Sequence, residues 1–223
     1  GFVGLAGLFF FFSGGVVLAG PVDPNGFFKD GKPKDIFALN CIYFGRKSAG
    51  FFNGNDMELI NIHFKKKQVM KRDFWKWYNP VNGFKMLVRT TLLIKWPWFP
   101  GFYYNHLPSN FLKSTFEEVW GIEGETLDAT CMDKFRTKSN VNQWLFKFWQ
   151  LASGNFIPSS PKVGRSFNIK DKTFPATIEA IETGQYKLIC VNDTIYTSDF
   201  EKQKVEVQGA FKKILSEKSS FEK

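Results

Sequence analysis

His106, Arg136 and Asp193 are the residues of this chain whose types and settings can handle a phosphate. His106 stands in YNHLPSNFLKSTFEEVW, in a proline-bounded loop just ahead of a helical pattern, where an imidazole can serve as a general base. Arg136, in DKFRTKSN and again just before a helical pattern, can hold a phosphate or pair with Asp133. Asn192-Asp193 follows the apolar run YKLICV and can ligate magnesium or form an Asx turn. The other histidine, His63, lies inside a helical run and reads as a surface or packing residue. There is no GxSxG, P-loop, GxGxxG or HExxH motif and no metal-type Cys/His cluster. The residues alone therefore lead to phosphate handling by His, Arg and Asp.

Such groups need elements to hold them. Asn55 to Trp77 predicts one helix with Met57, Ile60 and Phe64 on its apolar face and Asn55 or Asp56 as N-cap. Pro108 to Trp120 predicts a second, capped by Ser109 or Asn110, buried along Leu112, Phe116, Val119 and Trp120, and stopped by Gly121. Val141, Trp144, Leu145, Phe148 and Ala152 mark a third that Gly154 ends; a fourth runs from Thr173, with Pro175 in its first turn, to Gly184. Tyr186 to Val191 reads as a buried strand that delivers Asn192-Asp193 at its C-terminal end, where α/β sheets bind ligands. A last helix spans about Phe200 to Leu215. The class is α/β, with no internal repeat and no low-complexity linker.

Composition narrows the partners. A chain of 223 residues and 25.7 kDa suits one sizeable core, and residues 1–223 are read as a single domain. With 43% hydrophobic and 23% charged residues it is not disordered. Cys41, Cys131 and Cys190 form no CxxC pair, so neither a zinc site nor a disulfide framework is suggested, and a reducing compartment fits. A net charge of +9 implies an acidic partner: nucleic acid, an anionic membrane surface or a phosphorylated substrate.

Two stretches stand out. Residues 1–22 are uncharged and long enough for a membrane helix, but they hold six glycines and no basic flank. Phe9 to Phe12, then Ser13-Gly14-Gly15, then Val16-Val17-Leu18 read instead as strand, tight turn, strand. The absence of an initial Met suggests that an N-terminal portion is missing. The second stretch, Lys65 to Lys95, carries nine Lys or Arg against Asp73 alone and is interleaved with Trp75, Trp77 and Tyr78, then WPWFPGFYY. It reads as a solvated helix face beside a packed aromatic loop, as a platform that stacks bases and neutralises phosphates, or as a surface seated at lipid headgroups. Of the two binding readings the membrane surface is preferred, because Leu92-Leu93-Ile94 and the Trp-Pro-Trp-Phe-Pro run offer apolar insertion.

HLPSNFLKSTFEEVW, KFRTKSNVNQWLFKFWQLASG, YKLICVND and SEKSSFE, in that order over residues 105–223, resemble successive regions of the Stealth family of sugar-1-phosphate transferases. GPVDPNGFFKDGKPKDIFALN, residues 20–40, resembles the segment that follows the family's Asn-Asp-Asp turn, and the bacterial capsular polysaccharide branch fits better. The resemblance implies a mixed sheet flanked by helices, a partial nucleotide-sugar-binding domain of GT-A type. It also implies that the phenylalanine-rich run is a buried strand and turn at the site, with Ser13, Gly14 and Gly15 standing where the family has Asn-Asp-Asp.

By the same resemblance His106 takes the proton of an acceptor hydroxyl, Arg136 stabilises charge on phosphate, and Asp193 with Asn192 lies near a magnesium or manganese ion and the diphosphate. Ser13, Gly14 and Gly15 fall in the substrate-binding turn. The implied reaction moves a sugar-1-phosphate from a UDP-sugar to a glycan hydroxyl with release of UMP, in capsular or exopolysaccharide synthesis. The implied partners are a nucleotide-sugar and a glycan acceptor but not nucleic acid. The implied place is cytoplasmic, at the inner face of a bacterial membrane, held there by the basic aromatic segment 65–104. The rivals are an inactive member that still binds nucleotide or glycan, favoured by Gly14 and Gly15, and a non-catalytic basic protein that binds membrane or nucleic acid.

Overall fold

The structure, a computed structural model, describes residues 15–19, 27–42, 50–105, 107–192 and 199–215. His106, Asp193, Ser13, Gly14 and the run before them lie outside the described residues. The fold is mixed α/β, with small sheets flanked by helices, compatible with part of a GT-A-type domain. It divides into two compact units: a helical one formed by residues 25–104 and 109–161, and a sheet unit formed by 1–24, 105–108 and 162–223.

In the helical unit, Asp30 and Gly31 both take positive φ and form the two-residue turn that joins β2 (Phe28–Lys29) and β3 (Lys32–Asp35) into a hairpin. A short strand, β4 (Ile157–Pro158), adds to β3 in parallel. Around them pack α1 (Gly50–His63), α2 (Lys66–Trp77), α3 (Phe84–Leu93), α4 (Lys113–Met132) and α5 (Trp144–Ser153). Phe37 sits at the centre of the core, its ring 4.8 Å from Trp77, 5.6 Å from Phe156 and 5.8 Å from Phe102. Beyond β3 the alternate donors Phe37 N and Leu39 N reach Asn82 Oδ1 and Thr90 Oγ1, so side chains replace a neighbouring strand.

Several expected boundaries move. The single helix from Asn55 to Trp77 is two helices, because Lys65 is extended and the chain turns there; α1 also begins at Gly50, which leaves Asn55 and Asp56 inside it rather than at its cap. The break is fixed by distant contacts. Phe64 stands edge-on to Trp149 at 5.0 Å, and Lys66 Nζ donates to the carbonyls of Leu93, Ile94 and Trp96, at and just past the end of α3. A cation is favoured at a helix C-terminus. Arg72 and Lys76 likewise bind the carbonyls of Ala152 and Gly154 at the end of α5, and both pair with buried Asp73. The basic run is thus only partly a solvated face: three of its cations close helix ends.

Gly121 does not stop the second helix either. α4 continues to Met132 with a kink at Glu123, neither Ser109 nor Asn110 caps it, and Trp120 is exposed. Asn110 instead donates to the carbonyls of Phe27 and Lys34, tying the segment before α4 to the hairpin. At the kink, Glu123 bonds His63 Nε2 at 2.6 Å while the imidazole packs on Trp149, so His63 is a packing residue. The third helix, α5, ends as expected at left-handed Gly154, where a Cβ would meet Asp73 Oδ2 at 2.5 Å.

In the sheet unit, β1 (Gly15–Ala19), β5 (Gly164–Asn168) and β6 (Leu188–Asn192) form one sheet in the order β1-β6-β5. The second half of the expected strand-turn-strand is therefore a strand, Gly15 to Ala19. β5 and β6 are parallel and joined through α6 (Phe174–Glu182), which carries Pro175 in its first turn as expected. α7 (Phe200–Ile214) is capped by Asp199, whose Oδ1 accepts from Lys202 N at 3.0 Å. Phe167, Ile181, Ile189, Val191 and Ala210 make its core. No helix among the described residues is long and apolar enough to cross a membrane.

Candidate functional site

In the sheet unit the polar groups gather where β5 and β6 end. Leu188 to Val191 are buried and Asn192 emerges half-buried at the C-terminal end. Its register partners are Asn168 on parallel β5 and Gly15 on antiparallel β1. Asn192 Nδ2 donates to Ser166 Oγ at 3.1 Å and to Asn168 Oδ1 at 3.3 Å, while Ile169 N donates to the Asn192 carbonyl. Among the described residues, Asn192 Oδ1 takes only a long bond from the Cys190 thiol, whose pKa burial pushes up, so the thiol stays protonated and can donate. Two of the expected site residues, Gly15 and Asn192, thus stand opposite each other, and Asp193 is the next residue in the chain.

Ser166 and Asn168 also line an open cleft of about 710 Å³ beside β5, together with Arg165, Lys170 and Thr173. Arg165 lies over the Phe167 ring at 5.0 Å and donates to the Tyr186 hydroxyl, which fixes its position. Two cations against one acid, Glu179, give the cleft a positive lining. The other expected catalytic residue of this unit, His106, precedes Leu107. Leu107 packs where β5 and β6 begin, since a Cβ on Gly164 would meet its Cδ1 at 2.7 Å and Leu188 Cβ at the same distance. Leu107 and Asn192 therefore mark opposite ends of a strand pair about 13 Å long.

Arg136 belongs to the helical unit, in the loop between α4 and α5. Its guanidinium lies 5.2 Å from the centre of the Phe52 ring, and among the described residues it makes no ion pair. The pairing with Asp133 that the spacing allowed does not form, because Asp133 Oδ2 accepts from Thr137 Oγ1 at 3.0 Å and Asn140 Nδ2 at 2.8 Å. Asparagines hold the loop throughout. Asn140 Oδ1 accepts from Thr137 N, and Asn55 Nδ2 donates to the carbonyls of Lys138 and Asn140. Asn142 Nδ2 donates to Asn53 Oδ1, and its backbone N–H donates to Asp56 Oδ1 at 3.0 Å.

Asp56 is fully buried on α1, and its Oδ2 has no partner among the described residues. Desolvation pushes its pKa up to about 8, against the Asn142 N–H that favours the anion. In the sequence the network shows only as paired asparagines: Asn53 and Asn55 are two residues apart in NGND, as are Asn140 and Asn142 in SNVN.

No group of three or more His, Cys, Asp or Glu able to hold a metal occurs among the described residues. At the end of β5 and β6 they offer neutral oxygens alone, from Ser166, Asn168 and Asn192. Oxygen is the right donor type for magnesium, but these neutral groups bring no charge to offset a divalent cation.

No family profile matches the chain. It is 37% identical over 220 residues to a capsular polysaccharide phosphotransferase of Streptococcus pneumoniae, an alignment covering 98% of this chain and 65% of that protein. The same identity and coverage relate it to a receptor polysaccharide phosphotransferase of Streptococcus gordonii. An exopolysaccharide phosphotransferase of Lactiplantibacillus plantarum is 32% identical over 222 residues, 99% of this chain and 65% of that protein. The chain is similar to polysaccharide phosphotransferases. The similarity runs through nearly all of this chain, which spans about two-thirds, 65%, of the length of these relatives.

Proposed function

We propose that the chain carries part of a Stealth-type phosphotransferase that moves a sugar-1-phosphate from a UDP-sugar to a glycan hydroxyl in capsular or exopolysaccharide synthesis. The observation that carries this reading is the pairing of Gly15 with Asn192 at the C-terminal end of β6, in a chain similar along 98% of its length to a capsular polysaccharide phosphotransferase. In this reading the acceptor hydroxyl oxygen attacks the sugar-proximal phosphorus, its proton passes to His106, and the bond to the bridging oxygen breaks so that UMP leaves. Arg136, exposed and without an ion pair among the described residues, supplies positive charge to the phosphate oxygens. Asn192 and Asp193 would hold a magnesium or manganese ion, which when bound neutralises the diphosphate. The positively lined cleft beside β5 suits an anionic donor.

Ser13-Gly14-Gly15 in place of the family's Asn-Asp-Asp supports a second reading, a member that binds donor without turnover. The test is magnesium-dependent UMP release from a panel of UDP-sugars with an oligosaccharide acceptor. It compares the unaltered chain, His106→Ala, and a variant with Gly14→Asp and Gly15→Asp. Release that requires His106 supports the phosphotransferase. Donor binding with release only in the aspartate variant supports the inactive member, and neither binding nor release in any variant sinks both.

A further inference from the structure

The outer face of α3 is apolar, against the usual rule for a helix at the surface. Phe84, Val88 and Leu92, spaced four residues apart on one side of the helix, are exposed, Phe84 by 83% and Leu92 by 75%, while Met86 and Thr90 face the core. On α2, Lys67, Lys71 and Trp75 have the same four-residue spacing, and Trp75 is 81% exposed. The two helices are joined at this surface, where Thr91 Oγ1 and Tyr78 Oη lie 3.4 Å apart and Phe74 packs on Tyr78. Just past α3, Trp96 and Trp98 stand edge to face at 5.9 Å, both exposed, on the loop whose carbonyls Lys66 holds.

The charge on this surface is of one sign. Lys65, Lys67, Lys71, Lys85 and Lys95 are exposed and make no ion pair among the described residues, whereas the stretch's one acid, Asp73, is buried and already paired. Exposed aliphatics, tryptophans and unpaired lysines on one face are what an anionic bilayer accepts: rings and alkyl groups enter the headgroup layer while ammonium groups meet phosphates. A single-stranded nucleic acid would use the cations and rings but leave Phe84, Val88 and Leu92 without a base-sized partner. A symmetric dimer through this face would set lysines against lysines.

We infer that the α2–α3 face, with Trp96 and Trp98, docks peripherally on an anionic lipid surface, Phe84 and Leu92 inserting and Lys67 and Lys71 meeting the headgroups. The inference stands apart from the phosphotransferase reading, because its test measures no turnover.

The experiment is vesicle co-sedimentation of the full chain with phosphatidylcholine alone and with phosphatidylcholine containing phosphatidylglycerol. Phe84→Ser with Leu92→Ser forms one variant and Lys67→Glu with Lys71→Glu the other. Binding is expected only with the anionic lipid. Each lysine near such a surface is worth about fivefold in partitioning, so the double charge reversal lowers binding by at least about 25-fold. Removing both apolar side chains lowers it by at least about tenfold. All four side chains are exposed, so circular dichroism should not change; Lys66 is left intact because it closes α3. Equal binding to neutral vesicles, or binding that survives Phe84→Ser and Leu92→Ser, would overturn the inference. So would salt-dependent binding to single-stranded DNA without vesicle binding, or a dimer that those two substitutions disperse.

Discussion

Asparagines organise both places where the candidate chemistry lies, but they do so in opposite ways. Around Arg136 they are saturated, two buried and two half-buried: Asn53 and Asn140 are nearly inaccessible, and Asn55 and Asn140 each bond two loop groups. Around Asn192 they lie at the open end of a three-stranded sheet, with Asn192 half-buried and its Oδ1 held by a thiol at 3.5 Å. A saturated network fixes one loop shape before any ligand arrives, whereas an open strand end keeps acceptors free for a ligand. The helical unit thus fixes the loop that carries Arg136, and the sheet unit leaves oxygens open at a strand end.

The largest effect expected from this contrast is at Asp56, under the rigid loop. A carboxyl whose folded pKa is raised binds its proton more tightly in the folded state than in the unfolded one. Its contribution is therefore fully present below about 3.8 and is lost as pH rises towards about 8. At about 1.4 kcal/mol for each pH unit of that window, the loss has an upper bound of roughly 6 kcal/mol. Asp56→Asn removes the titration while keeping an oxygen for the Asn142 N–H. In urea unfolding the variant should match the parent near pH 4 and exceed it increasingly up to pH 8. A gap that stays constant with pH would mean that Asp56 is ionised in the folded chain.

Next in size is Arg136→Ala. On the proposed reading, in which Arg136 stabilises charge on the phosphate, loss of that donor costs about 10²–10³ in turnover, equivalent to about 3–4 kcal/mol. The side chain is exposed and touches one ring, so melting should barely move. Asn140→Ala reverses that pattern. It leaves the Thr137 N–H without its acceptor and Asp133 with Thr137 Oγ1 alone, costs about 2 kcal/mol of stability, and on the proposed reading lowers turnover through the loop although residue 140 need not touch substrate. If Asn140→Ala lowered stability and left turnover intact, Arg136 would not depend on the network.

How much of this could be read from the sequence depends on where each element gets its boundary. α5, α6 and α7 lie close to expectation because local signals end or begin them: Gly154 in the left-handed region, Pro175 in a first turn, Asp199 as a cap. The break before Lys66, the existence of α3 and the run of α4 past Gly121 have no such signal. They are set by contacts such as Lys66 with Leu93 and His63 with Glu123, which join residues 27 and 60 positions apart. Hydrophobic periodicity cannot register a lysine closing another helix. At the candidate site, YKLICV announced a buried strand that delivers Asn192 at its end, and Ser13-Gly14-Gly15 announced the strand after it, which begins at Gly15 rather than Val16. The Arg136 loop was found as a position but not as a network, because its asparagines look like ordinary turn residues until α1 is placed beside them.

The smallest effect tests the open half of the comparison. Asn192→Ala removes two amide hydrogen bonds and the long one from the Cys190 thiol at a half-buried strand end, where water can replace them, so about 1 kcal/mol or less should be lost. In a chain of 223 residues that is a melting shift of about 2–4 °C at most. Donor binding should weaken more than this, because Asn168 and Ser166 lose the amide that orders them beside the cleft. Isothermal titration with a UDP-sugar, run beside calorimetric melting, separates the two effects. A stability loss equal to that of Asn140→Ala, with donor affinity unchanged, would mean that Asn192 is a structural lock like its counterparts on α1, and the contrast between a rigid loop and an open strand end would fail.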